Sequence, residues 1–151
     1  MIQRIQSVYL LLVAVLMSVT VFSPLMVFSD SSGIVFLSEV AGITFKAVNQ
    51  YPTWGVLIFA VLAAIFPFIN IFLYKKRKLQ IKLCNITTLL IVLFYITLGV
   101  YTFVAKGKLD FEFTSIQYGV ILPLVALIFN FLAQRKIKAD EKLVRSLDRI
   151  R

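Results

Sequence analysis

The chain has 151 residues, of which 60% are hydrophobic and 15% are charged, and its formal net charge is +9. Soluble domains are about 45–50% apolar and need a polar surface, so this composition excludes an ordinary soluble fold. The chain has no histidine, which is the commonest general base and metal ligand. Its single cysteine excludes an internal disulfide. The composition therefore predicts an integral membrane protein that is not an enzyme and binds no metal or other cofactor.

Four stretches of the chain are long and apolar enough to cross a membrane as helices. About 20 residues, each rising about 1.5 Å, span a hydrocarbon core of roughly 30 Å. The predicted spans are residues 6–28, 53–74, 83–104 and 115–134, and none contains Asp, Glu, Lys or Arg. A signal peptide is the alternative for the first span, but its apolar stretch exceeds the roughly 7–15 residues of a signal core.

The first outer loop, residues 29–52, contains two short runs rich in Val, Ile, Phe and Thr, each with a glycine nearby. This pattern predicts a small extracytoplasmic β-hairpin. Because a two-stranded hairpin is marginal alone, we expect it to rest on the helix ends or to pair with residues 109–114 of the second outer loop.

The distribution of basic residues predicts the orientation. Of the 16 Lys and Arg residues, thirteen precede the first span, lie between the second and third spans, or follow the fourth. The other two loops contain only Lys46, Lys106 and Lys108. By the positive-inside rule, both termini are therefore predicted to be cytoplasmic.

The polar residues of interest within the spans are the Ser, Thr and Asn residues, together with Cys84 and Tyr95. Interhelical hydrogen bonds are the favoured interpretation, and a polar conduit is the alternative. A neighbouring threonine is the expected partner of the Tyr95 hydroxyl. Cys84 is expected to be a buried, unreactive thiol, with acylation near the interface as the alternative. The spans also contain three prolines, interpreted as structural kinks rather than as binding sites: Pro24, Pro67 and Pro123.

Two basic segments are the candidate interaction sites, the loop of residues 75–82 and the tail of residues 135–151. The tail has the pattern of an amphipathic cytoplasmic helix, which can lie on the inner leaflet or dock on a protein. The candidate contacts to anionic lipid headgroups or to a partner are Lys75, Lys76, Arg77, Lys78, Lys82, Lys138, Lys142, Arg145 and Arg149. The candidate partner-docking face comprises Ile137, Leu143, Val144, Leu147 and Ile150. Nucleic acid is not an expected partner, because a short loop held against phospholipid offers little docking area.

Motifs at both ends and in the basic loop resemble a known family. Residues 3–12 read QRIQSVYLLL, residues 75–84 read KKRKLQIKLC, and residues 122–151 read LPLVALIFNFLAQRKIKADEKLVRSLDRIR. These motifs are similar to those of the Bacteroidota membrane proteins known as domain-of-unknown-function family 4293. The resemblance implies a four-helix protein of the inner membrane of a Gram-negative bacterium. It implies no activity and no catalytic residues.

The sequence therefore predicts a single membrane domain over residues 1–151, an all-α bundle of four transmembrane helices with an outer hairpin and a cytoplasmic amphipathic helix. The leading hypothesis for function is a non-enzymatic multi-pass inner-membrane protein that acts through protein or lipid interaction, as an accessory subunit of an envelope complex or by self-association. The alternative is a carrier or channel for a neutral or lipid-like small molecule. The partner, any ligand and the oligomeric state are left open by the sequence.

Overall fold

The computed structural model describes residues 2–29, 35–38, 42–45, 48–74, 76–108 and 112–148. The helices within these ranges are α1 (Ile2–Val21), α2 (Trp54–Phe72), α3 (Arg77–Lys108) and α4 (Tyr118–Asp148). The strands are β1 (Met26–Ser29), β2 (Val35–Ser38), β3 (Gly42–Phe45), β4 (Val48–Pro52) and β5 (Glu112–Ile116).

The four helices pack as a ring, in which α1 and α3 each contact both α2 and α4. Each helix turns one narrow buried face toward its neighbours. On α4 the buried positions recur every three or four residues, the spacing that keeps one face of a helix against its partners. They are Gly119, Pro123, Ala126, Asn130, Ala133, Ile137 and Asp140. The small residues among them allow neighbouring helix backbones to approach closely.

Three clusters of buried apolar side chains fill the bundle. The central cluster contains Val13, Met17, Ala63, Leu90, Ile91 and Ala126. The cluster nearest the strands contains Leu25, Val56, Ala60, Phe94 and Leu98. The cluster at the opposite end contains Leu10, Cys84, Ala133 and Ile137. That opposite end also carries the basic loop and the end of α4, and we call it the basic end.

The outward faces of all four helices are apolar. Large exposed hydrophobic side chains occur throughout residues 5–22 of α1 and the turn after it, 54–72 of α2, 86–103 of α3 and 118–131 of α4. At about 1.5 Å per residue, these bands are each about 20–27 Å long, close to the hydrocarbon thickness of a bilayer. A protein with this outer surface needs lipid around it.

Among the described residues, three helical segments are long and apolar enough to cross a membrane, namely Trp54–Phe72, Arg77–Val104 and Tyr118–Val144. They contain most of the second, third and fourth predicted spans, and the protein is therefore a helical membrane protein. The apolar part of α1, Ile5–Val21, is shorter. The predicted first span was too long, because α1 ends at Val21 and residues from Met26 onward form β1.

The predicted amphipathic tail is not a separate helix. Instead, α4 continues without interruption from Tyr118 to Asp148. Residues 131–148 contain neither glycine nor proline, so nothing in the sequence ends the helix where the apolar stretch gives way to charged residues. Similarly, α3 begins at Arg77, six residues before the predicted third span, and extends past its end to Lys108.

The described parts of the segments between α1 and α2 and between α3 and α4 form a five-stranded antiparallel sheet rather than the predicted hairpin. The strand order is β4-β3-β2-β1-β5. The pairing of β1 with β5 joins Met26 to Ile116 and Ser29 to Glu112, with an irregularity between Val27 and Phe28. The expected contact of the first outer loop with the second is thus confirmed for residues 112–114, while residues 109–111 lie outside the described residues. A sheet with this many strands is more self-supporting than the predicted hairpin.

Candidate functional site at the basic end of the bundle

Asn70 and Gln80 join the end of α2 to the start of α3 by reciprocal hydrogen bonds. Asn70 Nδ2 donates to the Gln80 carbonyl oxygen at 3.2 Å, and Gln80 Nε2 donates to the Asn70 carbonyl oxygen at 3.1 Å. Both side chains are buried. The Asn70 carbonyl oxygen lies in the last turn of α2 and also accepts from Leu73 N at 3.2 Å, so Gln80 supplies a second donor there and fixes the turn between the two helices.

Asn130 connects α4 to the same region of α3. Its Nδ2 donates to the carbonyl oxygen of Cys84 and to the hydroxyl of Thr88, both at 2.9 Å. From α2, Asn70 Nδ2 lies 3.3 Å from Cys84 Sγ. Gln134 and Asn85 make a further bond between α4 and α3 nearer the surface. Two buried amides therefore hold α2, α3 and α4 together around Cys84, which confirms the expected interhelical role of these asparagines.

The amide oxygens of Asn70 and Asn130 accept no hydrogen bond from any group that the structure describes, although both atoms are buried. A buried acceptor left unsatisfied costs about 1–3 kcal/mol. We call the residues Asn70, Gln80, Cys84, Thr88 and Asn130 the amide layer.

The hydroxyl groups of the spans behave differently from the amides. Most of them donate to the carbonyl oxygen four residues earlier in the same segment, as short side chains in helices commonly do. These residues are Ser18, Thr20, Ser23, Thr87, Thr88, Thr97 and Thr102. The prediction that Ser and Thr side chains join the helices is therefore wrong for most of them. The exceptions are Thr88, which accepts from Asn130, and Thr102, which lies 3.4 Å from Met26 Sδ.

Asp140 carries a buried carboxylate at the basic end, 8% exposed. Gln6 Nε2 donates to Asp140 Oδ2 at 2.8 Å, and Arg77 Nη1 donates to the Asp140 carbonyl oxygen at 3.2 Å. Thus α1, α3 and α4 meet at this residue. Gln6, Gln80 and Asp140 were not predicted from the sequence, because only Ser, Thr and Asn residues of the apolar spans were considered as interhelical hydrogen-bonding groups. The spacing of three and four residues that runs along α4 from Asn130 to Asp140 was the sequence signal that could have predicted Asp140.

The predicted basic contacts lie on the outside of the same end wherever their side chains are described. Lys76, Lys78, Lys82, Lys138 and Lys142 are exposed, and Arg77 is half-buried. The exposed side chains of Arg135 and Lys136 on α4 add to this surface. Lys75 and Arg149, and the side chain of Arg145, are outside the described part of the chain. Contact of this surface with lipid headgroups stays a prediction.

The predicted docking face is divided by the fold. Ile137 has no exposed surface and packs with Leu10, Cys84 and Ala133, so it is not available to a partner as predicted. It belongs to the buried face of α4, which turns toward α1 and α3. Leu143 and Val144 are 56% and 40% exposed. The side chain of Leu147 and the whole of Ile150 are outside the described part.

At the end of the bundle nearest the sheet, α3 and the segment after α1 contact the start of α4 and the residue before it. Tyr95 donates its hydroxyl hydrogen to the Val120 carbonyl oxygen at 2.6 Å, so the expected threonine partner is wrong. Gln117 N donates to the Leu25 carbonyl oxygen at 2.9 Å. A methyl group on Gly119 would overlap the Pro24 carbonyl oxygen. These contacts hold the segment after α1 against the start of α4.

Cys84 is buried as predicted, and two of the three prolines lie inside helices, whereas the predicted position of Pro24 within a span is wrong. The Cys84 thiol is free and has no exposed surface. Pro67 and Pro123 lie inside α2 and α4, whereas Pro24 lies beyond the end of α1. In the part of the chain that the structure describes, no group of three metal-ligating side chains is assembled.

The exposed apolar faces of the helices and the hydrogen-bonded amides in the interior of the bundle are features of a helical membrane protein. The sequence model of the family described as "Domain of unknown function (DUF4293)" matches residues 2–150. The chain belongs to this family, as the motifs at its ends and in its basic loop indicated. No curated protein matches the chain.

Proposed function

We propose that this is a four-span inner-membrane protein of a bacterium, with both termini in the cytoplasm, that acts by binding anionic lipid and a membrane-protein partner rather than by catalysis. The observation that carries the proposal is the position of the basic surface. Exposed Lys78 and Lys82 of α3 and Lys138 of α4 lie directly beyond the ends of the exposed apolar bands. Basic side chains at this depth meet the headgroups of a bilayer.

The contacts of α1 support its role as the fourth span. It packs along α2 and α4, and Gln6 near its start reaches Asp140 at the basic end. Its exposed residues, including Leu11, Val15 and Val19, continue the apolar surface of its neighbours. If α2 and α4 are surrounded by hydrocarbon, this face of α1 shares that environment, and its short apolar length is accommodated by thinning of the bilayer or by tilting.

The distribution of charge supports a cytoplasmic location for the basic end. Thirteen of the 16 basic residues precede the first predicted span, lie between the second and third spans or follow the fourth, and only three lie in the other two connecting segments. The positive-inside rule then assigns the sheet to the outer side of the membrane.

The interior chemistry favours interaction over catalysis. General acid–base chemistry needs a titratable group within reach of a substrate. The buried polar groups of the central bundle are amides, hydroxyls and one thiol, and Asp140 is bound to Gln6 at the edge. The three packed apolar clusters likewise provide no specific support for the alternative, a carrier of a neutral small molecule.

The end of α4 is the surface proposed for a protein partner. Beyond Asp140, the helix continues to Asp148 and exposes Lys142, Leu143 and Val144. This surface combines two apolar side chains with a basic one beyond the apolar band of α4. Such a surface can bind an amphipathic or acidic segment of another membrane protein. This arrangement fits an accessory subunit of an envelope complex.

Lipid binding is tested with two variants, each of which neutralises the charge of three lysines. The variant Lys78→Gln/Lys82→Gln/Lys138→Gln is compared with the matched control Lys46→Gln/Lys106→Gln/Lys108→Gln. Thermal unfolding is measured in nanodiscs of phosphatidylcholine with and without phosphatidylglycerol. We expect the anionic lipid to raise the Tm of the unmodified protein and of the control, and to raise that of the basic-end variant much less. Equal responses of the two variants would contradict the lipid proposal.

Partner binding is tested with a photo-crosslinking amino acid in living cells. It is placed at Leu143 on the proposed docking surface, or at Leu89 on the exposed apolar band of α3 as the control. We expect a discrete protein adduct from position 143 and lipid adducts or none from position 89. A chain that forms no protein adduct from position 143 in its parent membrane would contradict the proposed interaction.

A further inference from the structure

We propose that the amide layer is a water-binding site, in which the side-chain oxygens of Asn70 and Asn130 accept hydrogen bonds from ordered water held inside the bundle. Asn70 is 0% exposed and Asn130 is 1% exposed. Each oxygen is buried, and neither accepts a hydrogen bond from the described groups of the chain. Buried polar atoms are almost always hydrogen-bonded, and internal water is the usual partner where protein donors are lacking.

Exchanging the oxygen and nitrogen positions of the two side-chain amides would not satisfy their hydrogen-bonding groups. Turning the Asn130 amide would place its oxygen where Nδ2 now stands, 2.9 Å from the Cys84 carbonyl oxygen. Turning the Asn70 amide would similarly place oxygen 3.2 Å from the Gln80 carbonyl oxygen. Each reversal would set two acceptors against each other and leave an amide NH₂ group without its present acceptors. The hydrogen-bond network thus requires the orientation with both oxygens unsatisfied.

The neighbouring donors in the amide layer are already engaged. The Thr88 hydroxyl donates to the Cys84 carbonyl oxygen, and Gln80 Nε2 donates to the Asn70 carbonyl oxygen. The Cys84 sulfur lies against Asn70 Nδ2 and therefore faces the nitrogen of that amide. The missing donor must come from outside the described protein groups. Water is the smallest molecule that can donate two hydrogen bonds.

The proposed hydration is confined to one level of the bundle. Toward the middle, the interior consists of the central apolar cluster, which includes Val13, Met17 and Ile91. An apolar interior of this kind stays dry. Met17 and Cys84 therefore form a natural pair for comparison, because both contain sulfur and both have no exposed surface.

The test is X-ray radiolytic labelling of the full chain in nanodiscs prepared in H₂¹⁸O. Radiolysis converts bound water to hydroxyl radicals, which oxidise the nearest side chains, and mass spectrometry locates the ¹⁸O. Each labelling rate is divided by the rate of the same sulfur in the SDS-denatured chain, which removes the intrinsic difference between a thiol and a thioether. We expect the Cys84 sulfur to be labelled about fivefold faster than the Met17 sulfur or more on this normalised scale, since oxidation requires access of the oxidant. Labelling of Cys84 at the slow rate of Met17 would overturn the proposal.

Two variants show whether the asparagine oxygens hold the water. Asn70→Leu/Asn130→Leu replaces both amides with apolar side chains of similar size, and we expect the Cys84 rate to fall to that of Met17. Asn85→Leu, which changes an exposed amide next to Cys84, should leave the fast rate unchanged. Fast labelling that survives in the double variant would overturn the assignment. If the double variant fails to assemble, the ratio of the Cys84 and Met17 rates in the unmodified protein decides by itself. A stoichiometric organic ligand released from the amide layer, seen by native mass spectrometry, would also overturn it.

Discussion

Gln6 Nε2 donates a hydrogen bond to Asp140 Oδ2 across 2.8 Å, joining two residues that are 134 positions apart in the chain. The bond ties the first turns of α1 to the last third of α4. Because Arg77 also donates to the Asp140 carbonyl oxygen, the start of α3 is held at the same point. This junction places the start of α1 and the last third of α4 at one end of the bundle, which is the geometry that the proposed topology needs.

We expect Gln6 and Asp140 to be energetically coupled. Gln6→Leu leaves the buried carboxylate without this donor and should lower the free energy of unfolding by about 1–3 kcal/mol. Asp140→Leu should also destabilise, but the double variant Gln6→Leu/Asp140→Leu should lose less than the sum, with a coupling of about 0.5–3 kcal/mol. Reversible unfolding in mixed micelles measures all four states. Additive losses would show that the hydrogen bond does not stabilise the folded protein.

Gly119 should not tolerate a methyl group. Gly119→Ala would force its Cβ into the Pro24 carbonyl oxygen and against Leu25, and separating these backbones should cost about 1–3 kcal/mol. Gly99 of α3 is the matched control, because a Cβ there meets nothing within 4 Å. Gly99→Ala should be neutral or should stabilise by up to about 1 kcal/mol, since alanine favours helix. Thermal unfolding of both variants in detergent measures the difference. Equal behaviour would mean that the segment after α1 does not pack against α4 as described.

Tyr95 should contribute through its hydroxyl group. Tyr95→Phe removes the 2.6 Å hydrogen bond to the Val120 carbonyl oxygen and should destabilise by about 0.5–1.5 kcal/mol. Tyr118→Phe, at a side chain that is 57% exposed, should change stability by less than about 0.5 kcal/mol. Chemical unfolding of the two variants in parallel tests this expectation. A larger loss from Tyr118→Phe would contradict the assigned contact.

Cys84 should resist thiol reagents while the bundle is folded. Its side chain has no exposed surface, whereas Lys82, two residues earlier on α3, is exposed. We expect a polar maleimide to label Lys82→Cys/Cys84→Ala rapidly, and to label the unmodified protein only after denaturation in SDS. Mass spectrometry of the intact chain measures the extent of labelling. Rapid reaction of Cys84 in the folded protein would contradict the packing of the basic end and would revive acylation at this thiol.

The sequence was most informative where apolar length and charge decide the structure. The second, third and fourth spans were predicted from uncharged stretches whose cores lie in α2, α3 and α4. It failed at Met26–Ser29, because a short apolar run next to an apolar helix reads as more helix until a partner strand is known. The partner, β5, lies more than 80 residues away, so the pairing is invisible to any local pattern.

The amide layer was only partly predictable. Asn70 and Asn130 stood out as polar residues in apolar stretches, where an unpaired amide is costly. Gln6, Gln80 and Asp140 did not stand out, because they occur among other polar residues near the ends of the helices. Hydroxyl residues were assigned the same role as amides, but a hydroxyl proton reaches a carbonyl of its own helix and an asparagine amide in this layer reaches the next helix.

The proposed topology has the bundle crossing the membrane with its basic end inside and its sheet outside. It is tested most directly by labelling two single-cysteine variants in the Cys84→Ala background, Lys142→Cys near the end of α4 and Thr114→Cys on β5, both at exposed positions. The reagent is a membrane-impermeant maleimide applied to intact spheroplasts and to inverted inner-membrane vesicles. We predict that position 114 reacts only in spheroplasts and position 142 only in inverted vesicles. Reaction of both positions from the same side of the membrane would contradict the account.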